Sequence, residues 1–271
     1  MEKRSQPLTN DTARLVPKTA FDVPVLEFDF PALQIGVAAY EEGPTGCTVF
    51  RFSRDPTSVI DVRGGFPGTI HGSPEEDIRT AAICFAGGST YGVEAATGVA
   101  AELFAQSGYS DIKLVRGAIT YDFWRDNKIY PDKALGRAVL KSARTGVFPL
   151  GRAGVGVSLT CGGGFGGSER TGQGGAFLQV GPTKIAVFTA VNAAGAIVDR
   201  QGQVVRGHLD RRRPGPTIGL TGDQSRGSKR GSDRVGQEGT GRAGGFAPAA
   251  RGERIGNELR GKRRTCQRPC I

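Results

Sequence analysis

Apolar residues recur in short runs broken by glycine and proline up to about residue 207, and there the pattern stops. Residues 33–40 (LQIGVAAY) and 48–52 (TVFRF) read as strands, and the Gly- and Pro-bearing stretch 41–46 between them predicts a hairpin. Residues 58–62 form a third strand candidate, and 80–85 a buried strand that runs into Gly87-Gly88-Ser89-Thr90-Tyr91-Gly92. Over 93–106 the positions Val93, Ala96, Ala100, Leu103 and Phe104 share one helical face, which predicts a strand, glycine loop and helix in succession. A strand starting at 112–115 leads toward 119–124, and Pro131 and Asp132 suit the first turn of a helix carrying Ala134, Leu135, Ala138 and Val139 inward. Strand patterns return at 155–159, 176–180, 184–191, 196–199 and 204–205, with glycine loops at 162–167 and 171–175. These elements describe an α/β domain over 25–208, preceded by a polar, proline-punctuated arm over 1–24 read as flexible. No internal repeat or heptad is present, so solenoids and coiled coils are poor descriptions.

Charge changes the picture at the same point. Through residue 208, 21 Lys and Arg face 20 Asp and Glu, whereas in 209–271 the numbers are 15 and 6. Nearly all of the net charge of +10 therefore belongs to a Gly- and Arg-rich tail whose 63 residues include one aromatic, Phe246. Such a segment has too little apolar surface to offset the entropy of ordering, and it is expected to be disordered. It could bind polyanions weakly and in a salt-dependent way, without the interleaved aromatics of a stacking platform. Function has to be read from the neutral part. The N-terminus lacks the apolar stretch of a signal peptide and no segment has the 18 or so uninterrupted apolar residues of a membrane span, so a soluble, cytoplasmic protein is expected. Cys47, Cys84 and Cys161 lie far apart in apolar or glycine-rich stretches and read as buried thiols. Cys266 and Cys270 lack the partners of a zinc site, and neither a metal nor a cofactor is expected.

Few residues carry chemistry. The loop 87–92 sits between a strand and a helix, where backbone N–H groups could hold an anion or an oxyanion, or where it could simply be a tight turn. It matches neither GxGxxG nor the Walker pattern, which weakens a nucleotide-binding reading. His71 and His208 are the only histidines, and no G-x-S-x-G elbow accompanies them, so a Ser-His-Asp mechanism is a poor fit. Glu41-Glu42 and Glu75-Glu76-Asp77 read as solvated charge beside turns. Tyr121 and Asn192 both fall at the ends of apolar strand runs, from which a phenol and a carboxamide could donate hydrogen bonds to a developing oxyanion. On residue types alone, a core tyrosine and a turn asparagine are the plainer reading.

Several motifs in order and spacing are more specific. Tyr40-Glu41-Glu42-Gly43-Pro44-Thr45-Gly46, Ile83-Cys84-Phe85-Ala86-Gly87-Gly88 with Tyr91-Gly92, Tyr121-Asp122-Phe123, Tyr130-Pro131-Asp132-Lys133-Ala134-Leu135-Gly136-Arg137, Gly151-Arg152-Ala153-Gly154 and Ile197-Val198-Asp199-Arg200 closely resemble the nylon-oligomer hydrolases within the DmpA-like aminopeptidase family. The resemblance runs from about Leu26 to Gly207. It implies an αββα sandwich of the N-terminal-nucleophile type, here incomplete at its C-terminus. It also implies self-cleavage before a Ser or Thr whose freed α-amino group serves as base, and hydrolysis of small peptide-like or ω-amino-acid oligomer amides. The family's strand-end tyrosine matches Tyr121 and its oxyanion-side asparagine matches Asn192.

Two positions depart from the pattern. Gly163 stands where the family places a lysine, and no Asn-Ser or Asn-Thr dipeptide of the cleavage motif occurs in the chain. The expectation is a frameshift or truncation that replaced the nucleophile segment after about residue 208, leaving a chain inactive by itself. The alternative is a non-catalytic protein that pairs with intact homologues or binds polyanions through the tail; in either reading a homo-oligomer is a possible assembly.

Overall fold

The computed structural model describes residues 7–64, 68–71, 78–123, 127–163 and 167–207. Along the chain the strands are β1 (Val25–Glu27), β2 (Leu33–Tyr40), β3 (Thr45–Phe52), β4 (Thr57–Ser58), β5 (Thr69–Ile70), β6 (Ile78–Arg79) and β7 (Ala82–Ala86). Helix α1 (Val93–Gln106) leads to β8 (Val115–Ile119), and helix α2 (Lys133–Lys141) to β9 (Arg144–Thr145) and β10 (Val147–Pro149). Six further strands follow: β11 (Thr160–Cys161), β12 (Glu169–Arg170), β13 (Gln173–Val180), β14 (Thr183–Ala190), β15 (Ile197–Val198) and β16 (Val204–Arg206). The main sheet has the order β5-β8-β7-β3-β2-β9. Its one parallel pair, β7 with β8, is joined through α1 as a β-α-β crossover requires.

Residue size separates the two faces of this sheet. Ala38, Cys47, Ala82, Cys84 and Ala86 point toward α1 and α2, joined by Tyr40 and Val49, whereas Leu33, Ile35, Phe50 and partly buried Ile83 and Phe85 point the other way. Small side chains let the helices lie close. A Cβ on Gly36 would strike the Val139 carbonyl of α2, which is why β2 carries glycine there. The second face is aromatic. Phe50 and Phe188 rings lie 5.0 Å apart and Phe148 and Phe188 4.8 Å, so the β13–β14 hairpin rests on the sheet through Phe188 and Phe177. Among the described residues the layers are a helix pair, the six-stranded sheet and this hairpin, an α/β arrangement.

Helix α2 starts where its local signal places it, but its buried face is Leu135, Gly136, Val139 and Leu140, and Ala134, expected inward, is exposed. Asp132 caps α2 by accepting from Leu135 N–H at 2.9 Å. Its other contacts tie three segments together, since Tyr40 Oη donates to Asp132 Oδ1 at 2.7 Å and Asn10 Nδ2 to Oδ2 at 3.1 Å. Burial, then the Asp132 carboxylate, push the Tyr40 phenol far above its ordinary value, so it stays a donor. The N-terminal segment runs along the domain over its described residues, with Lys18 and Ala39 exchanging backbone hydrogen bonds of 2.9 Å and Lys128 N–H donating to Leu8 O at 2.8 Å.

Three expected elements differ. Residues 155–159 form no strand; Gly154–Val157 is a 3-10 turn, entered at Gly151 and Gly154 with φ of +74° and +53° and held where Val155 N–H donates to Thr48 Oγ1 at 3.1 Å. The strand at 58–62 shrinks to β4, because β6 pairs only with Thr57 and Ser58, and Val59 is 81% exposed. Phe104 leaves the inward face of α1 and meets Tyr109 edge-on at 5.2 Å, while Ala95 and Val99 fill the core.

One buried charge was not visible in the periodicity. Glu102 of α1 is 6% exposed and accepts from Arg137 Nη1 of α2 at 2.9 Å, with Lys141 Nζ at 3.5 Å. Burial works to raise its carboxyl, but Gln106, Arg137 and Lys141 outweigh it and hold it below the ordinary range. A carboxyl lowered in the folded state contributes stability above its unfolded value near 4.3, and that stability fades as pH falls through the folded value. Glu102→Gln should therefore cost on the order of 1 kcal/mol at pH 7 and nothing at pH 2. Denaturation curves across that range check it, and a loss independent of pH would refute it.

Candidate active site

Tyr121 lies two residues beyond the end of β8 and Asn192 two residues beyond the end of β14. The strand end is fixed by Thr120 N–H donating to Ala86 O at 2.8 Å and Ser89 N–H donating to Thr120 O at 3.0 Å. Asn192 then bridges two segments, its Oδ1 accepting from Thr160 N–H at 3.2 Å and its Nδ2 donating to the Tyr121 carbonyl. The structure thus brings together two candidates 71 residues apart in sequence. With Gly68, Ser89, Ile119 and Thr120 they line a cleft of about 400 Å³. Tyr121 is 45% exposed, with its ring edge-on to Phe123 at 6.2 Å, so it is not a core tyrosine. A carboxamide nitrogen carries two N–H groups, and Asn192 spends one on the Tyr121 carbonyl. Ser89, at the cleft wall, holds φ of +53°, uncommon for a residue with a side chain.

Asp122 is the residue that sequence reasoning passed over. It is 3% exposed, and its Oδ2 accepts from Thr45 Oγ1 at 2.6 Å and Ser158 Oγ at 2.7 Å while Oδ1 accepts from Gly88 N–H at 2.9 Å. These bonds explain the glycine loop. Gly88 adopts φ of +79° to present its N–H, and a Cβ on Gly87 would collide with Asp122 Oδ2. Gly87 N–H is taken by Gly46 O at 2.9 Å and Ser89 N–H by Thr120 O. The anion that this loop cradles is the protein's own carboxylate. The signal available in sequence was a Gly-Gly pair and an aspartate beside Tyr121, with nothing local to join them.

The chain is 43% identical over 207 residues to 6-aminohexanoate-oligomer endohydrolases of Paenarthrobacter ureafaciens and of Agromyces sp. (strain KY5R), an alignment covering 74% of this chain and 57% of each relative. A 6-aminohexanoate-oligomer endohydrolase of Kocuria sp. (strain KY2) is 43% identical over 182 residues, 65% of this chain and 50% of that relative. The chain belongs to the nylon-oligomer hydrolase family. It spans little more than half the length of these curated relatives. No family model matches it.

Other candidates in this nylon-oligomer hydrolase relative have structural duties. His71 Nδ1 donates to the Val115 carbonyl at 2.8 Å, and Arg116 Nη1 donates to the His71 carbonyl. Cys47, Cys84 and Cys161 are buried free thiols; burial, then the neighbouring Cys84, raise the Cys47 thiol well above its ordinary value, which keeps it protonated and unreactive. Among the described residues no cluster of His, Cys, Asp and Glu is suited to a metal, and no helix is long and apolar enough to cross a membrane. A Cβ built at Gly163 meets only Ser168 Cβ, at 4.0 Å, so a longer side chain is not barred there by the described residues. His208, Glu75-Glu76-Asp77, Cys266, Cys270 and the basic segment 209–271 lie outside the described residues.

Proposed function

We propose that this chain carries the oxyanion-binding half of an amide-bond hydrolase acting on linear amide oligomers or small peptides. The observation that supports it most is the convergence of Tyr121 and Asn192, from two different sheets, on one cleft. Attack on an amide carbonyl turns its oxygen into an oxyanion, and the Tyr121 phenol and the second Asn192 N–H are donors of the right kind for that charge. The endohydrolase relatives, named for 6-aminohexanoate oligomers, favour a substrate of this class. In this reading the fold is the front of a DmpA-like αββα sandwich, in which the β13–β14 hairpin begins the second sheet. The nucleophile comes from a Ser or Thr in the part of the relatives that residues 1–271 do not match. The chain by itself neither cleaves itself nor turns over substrate.

Intact-mass measurement of the purified chain should give one full-length species, with hydrolysis of linear 6-aminohexanoate oligomer at background. Two fragments, or a rate abolished by one Ser or Thr substitution, would overturn the claim of inactivity. Co-expression with the unmatched C-terminal portion of a relative should restore hydrolysis. Tyr121→Phe or Asn192→Ala should then lower kcat about a hundredfold or more. Restored activity indifferent to both substitutions removes the oxyanion assignment.

A further inference from the structure

A second, smaller cavity of about 190 Å³ is lined by Asp122, Ser158, Thr160, Arg152 and Arg170 among others. Its two guanidinium groups reach it from separate elements. Arg152 sits in the turn between Gly151 and Gly154, and Arg170 is on β12, paired in register with Thr160 of β11. Strand alternation sends the preceding Glu169 to the opposite side, where it accepts from Arg206 Nη1 at 3.0 Å and Gly207 N–H at 3.0 Å. Asp122 is engaged by Thr45, Ser158 and Gly88, and Glu41, near Arg152 in an adjoining cavity of about 250 Å³, is paired with Lys18 at 2.5 Å. Among the described residues the guanidinium groups of Arg152 and Arg170 have no hydrogen-bonding or ion-pairing partner. Partial burial, then the like charge of Arg170, hold the Arg152 guanidinium below its ordinary value, a penalty that a bound anion would relieve.

We infer that Arg152 and Arg170 form a carboxylate-binding subsite that holds the free acid end of a linear amido acid beside the Tyr121–Asn192 cleft. Guanidinium groups match a carboxylate through paired N–H donors, and a partly desolvated pair strengthens that contact. The single negative charge of Asp122 at the cavity wall is outnumbered two to one, and its bonds to Thr45, Ser158 and Gly88 hold it in place. The link to the cleft is Thr160, which lines the cavity and donates its N–H to Asn192. That the acid end belongs to a substrate rests on the hydrolase reading; that the arginines take a carboxylate does not.

The test is phenylglyoxal labelling of the full chain with peptide mapping, which needs no turnover. The probes are N-acetyl-6-aminohexanoate, its neutral N-methylamide and acetate. The N-acetylated acid should slow labelling of Arg152 and Arg170 and leave Arg137 and Arg206 unchanged, whereas the N-methylamide should protect none of them. Arg170→Gln, at an exposed position, should weaken protection of Arg152 about tenfold. Equal protection by the neutral amide, protection of neither arginine, or protection unchanged in Arg170→Gln would overturn the subsite. Protection by acetate as strong as by the amido acid would overturn the substrate assignment, and loss of the hydrolase reading with protection intact would leave the carboxylate site standing.

Discussion

Asp122→Ala is expected to destabilise the domain by about 4 kcal/mol, close to the limit that single substitutions reach. The carboxylate is buried and accepts from two hydroxyls and one backbone N–H. Truncation leaves the Gly88 N–H and the fully buried Thr45 hydroxyl without their acceptor, each costing about 1–3 kcal/mol, and opens a hole between β3 and the loop after β7. Asp122→Asn separates shape from charge. Its carbonyl oxygen can keep Gly88 N–H, and the Thr45 and Ser158 hydroxyls can rotate to accept from the new amide, so about 1–2 kcal/mol is expected. Urea denaturation of both variants measures the difference. A loss below about 1 kcal/mol in Asp122→Ala would mean that the network contributes little.

Gly136→Ala should cost about 2–3 kcal/mol, the opposite sign from the gain of about 0.5–1 kcal/mol that alanine brings at an open helix position. A Cβ at Gly136 would strike the Ala95 carbonyl and lie 3.0 Å from its Cα, and one at Gly98 would strike the Lys133 carbonyl. Each helix thus presents a glycine to the backbone of the other. Backbone cannot swing aside as a side chain can, so relief requires α1 and α2 to separate, which loosens Leu135 and Val139 from the small-residue face of the sheet. Thermal or chemical denaturation reads the sign directly, and a more stable Gly136→Ala would show that the helices do not touch there.

Local signals gave α1 its bounds, 93–106, and placed β2, β13 and β14 to within a few residues. They failed where two residues compete through distant partners. Val155 looks like the start of a strand, yet the preceding Gly151 and Gly154 with positive φ and the Thr48 hydroxyl turn it into a 3-10 turn. Phe104 has the right spacing for the core of α1, but the closely packed second helix leaves room there for Ala95, Val99 and a paired Glu102. Tyr121 and Asn192 were legible as strand-end polar residues. Their meeting was not, because it depends on how the hairpin lies against the main sheet.

By itself the sequence determined the break in composition after residue 208, the place and type of most of the elements, and the family. These depend on spacing of two or 3.6 residues and on side-chain volume, which are local properties. Only the tertiary structure decided that Asp122 fills the glycine loop, that Asn192 ties itself to Tyr121, and that Arg152 and Arg170 line one cavity in which Asp122 is already engaged. Those pairings join residues tens of positions apart, 34 for Gly88 and Asp122 and 71 for Asn192 and Tyr121. The strand order β5-β8-β7-β3-β2-β9 and the hairpin's seat on the phenylalanine face bring them together, and no local periodicity encodes which polar groups such packing will leave side by side.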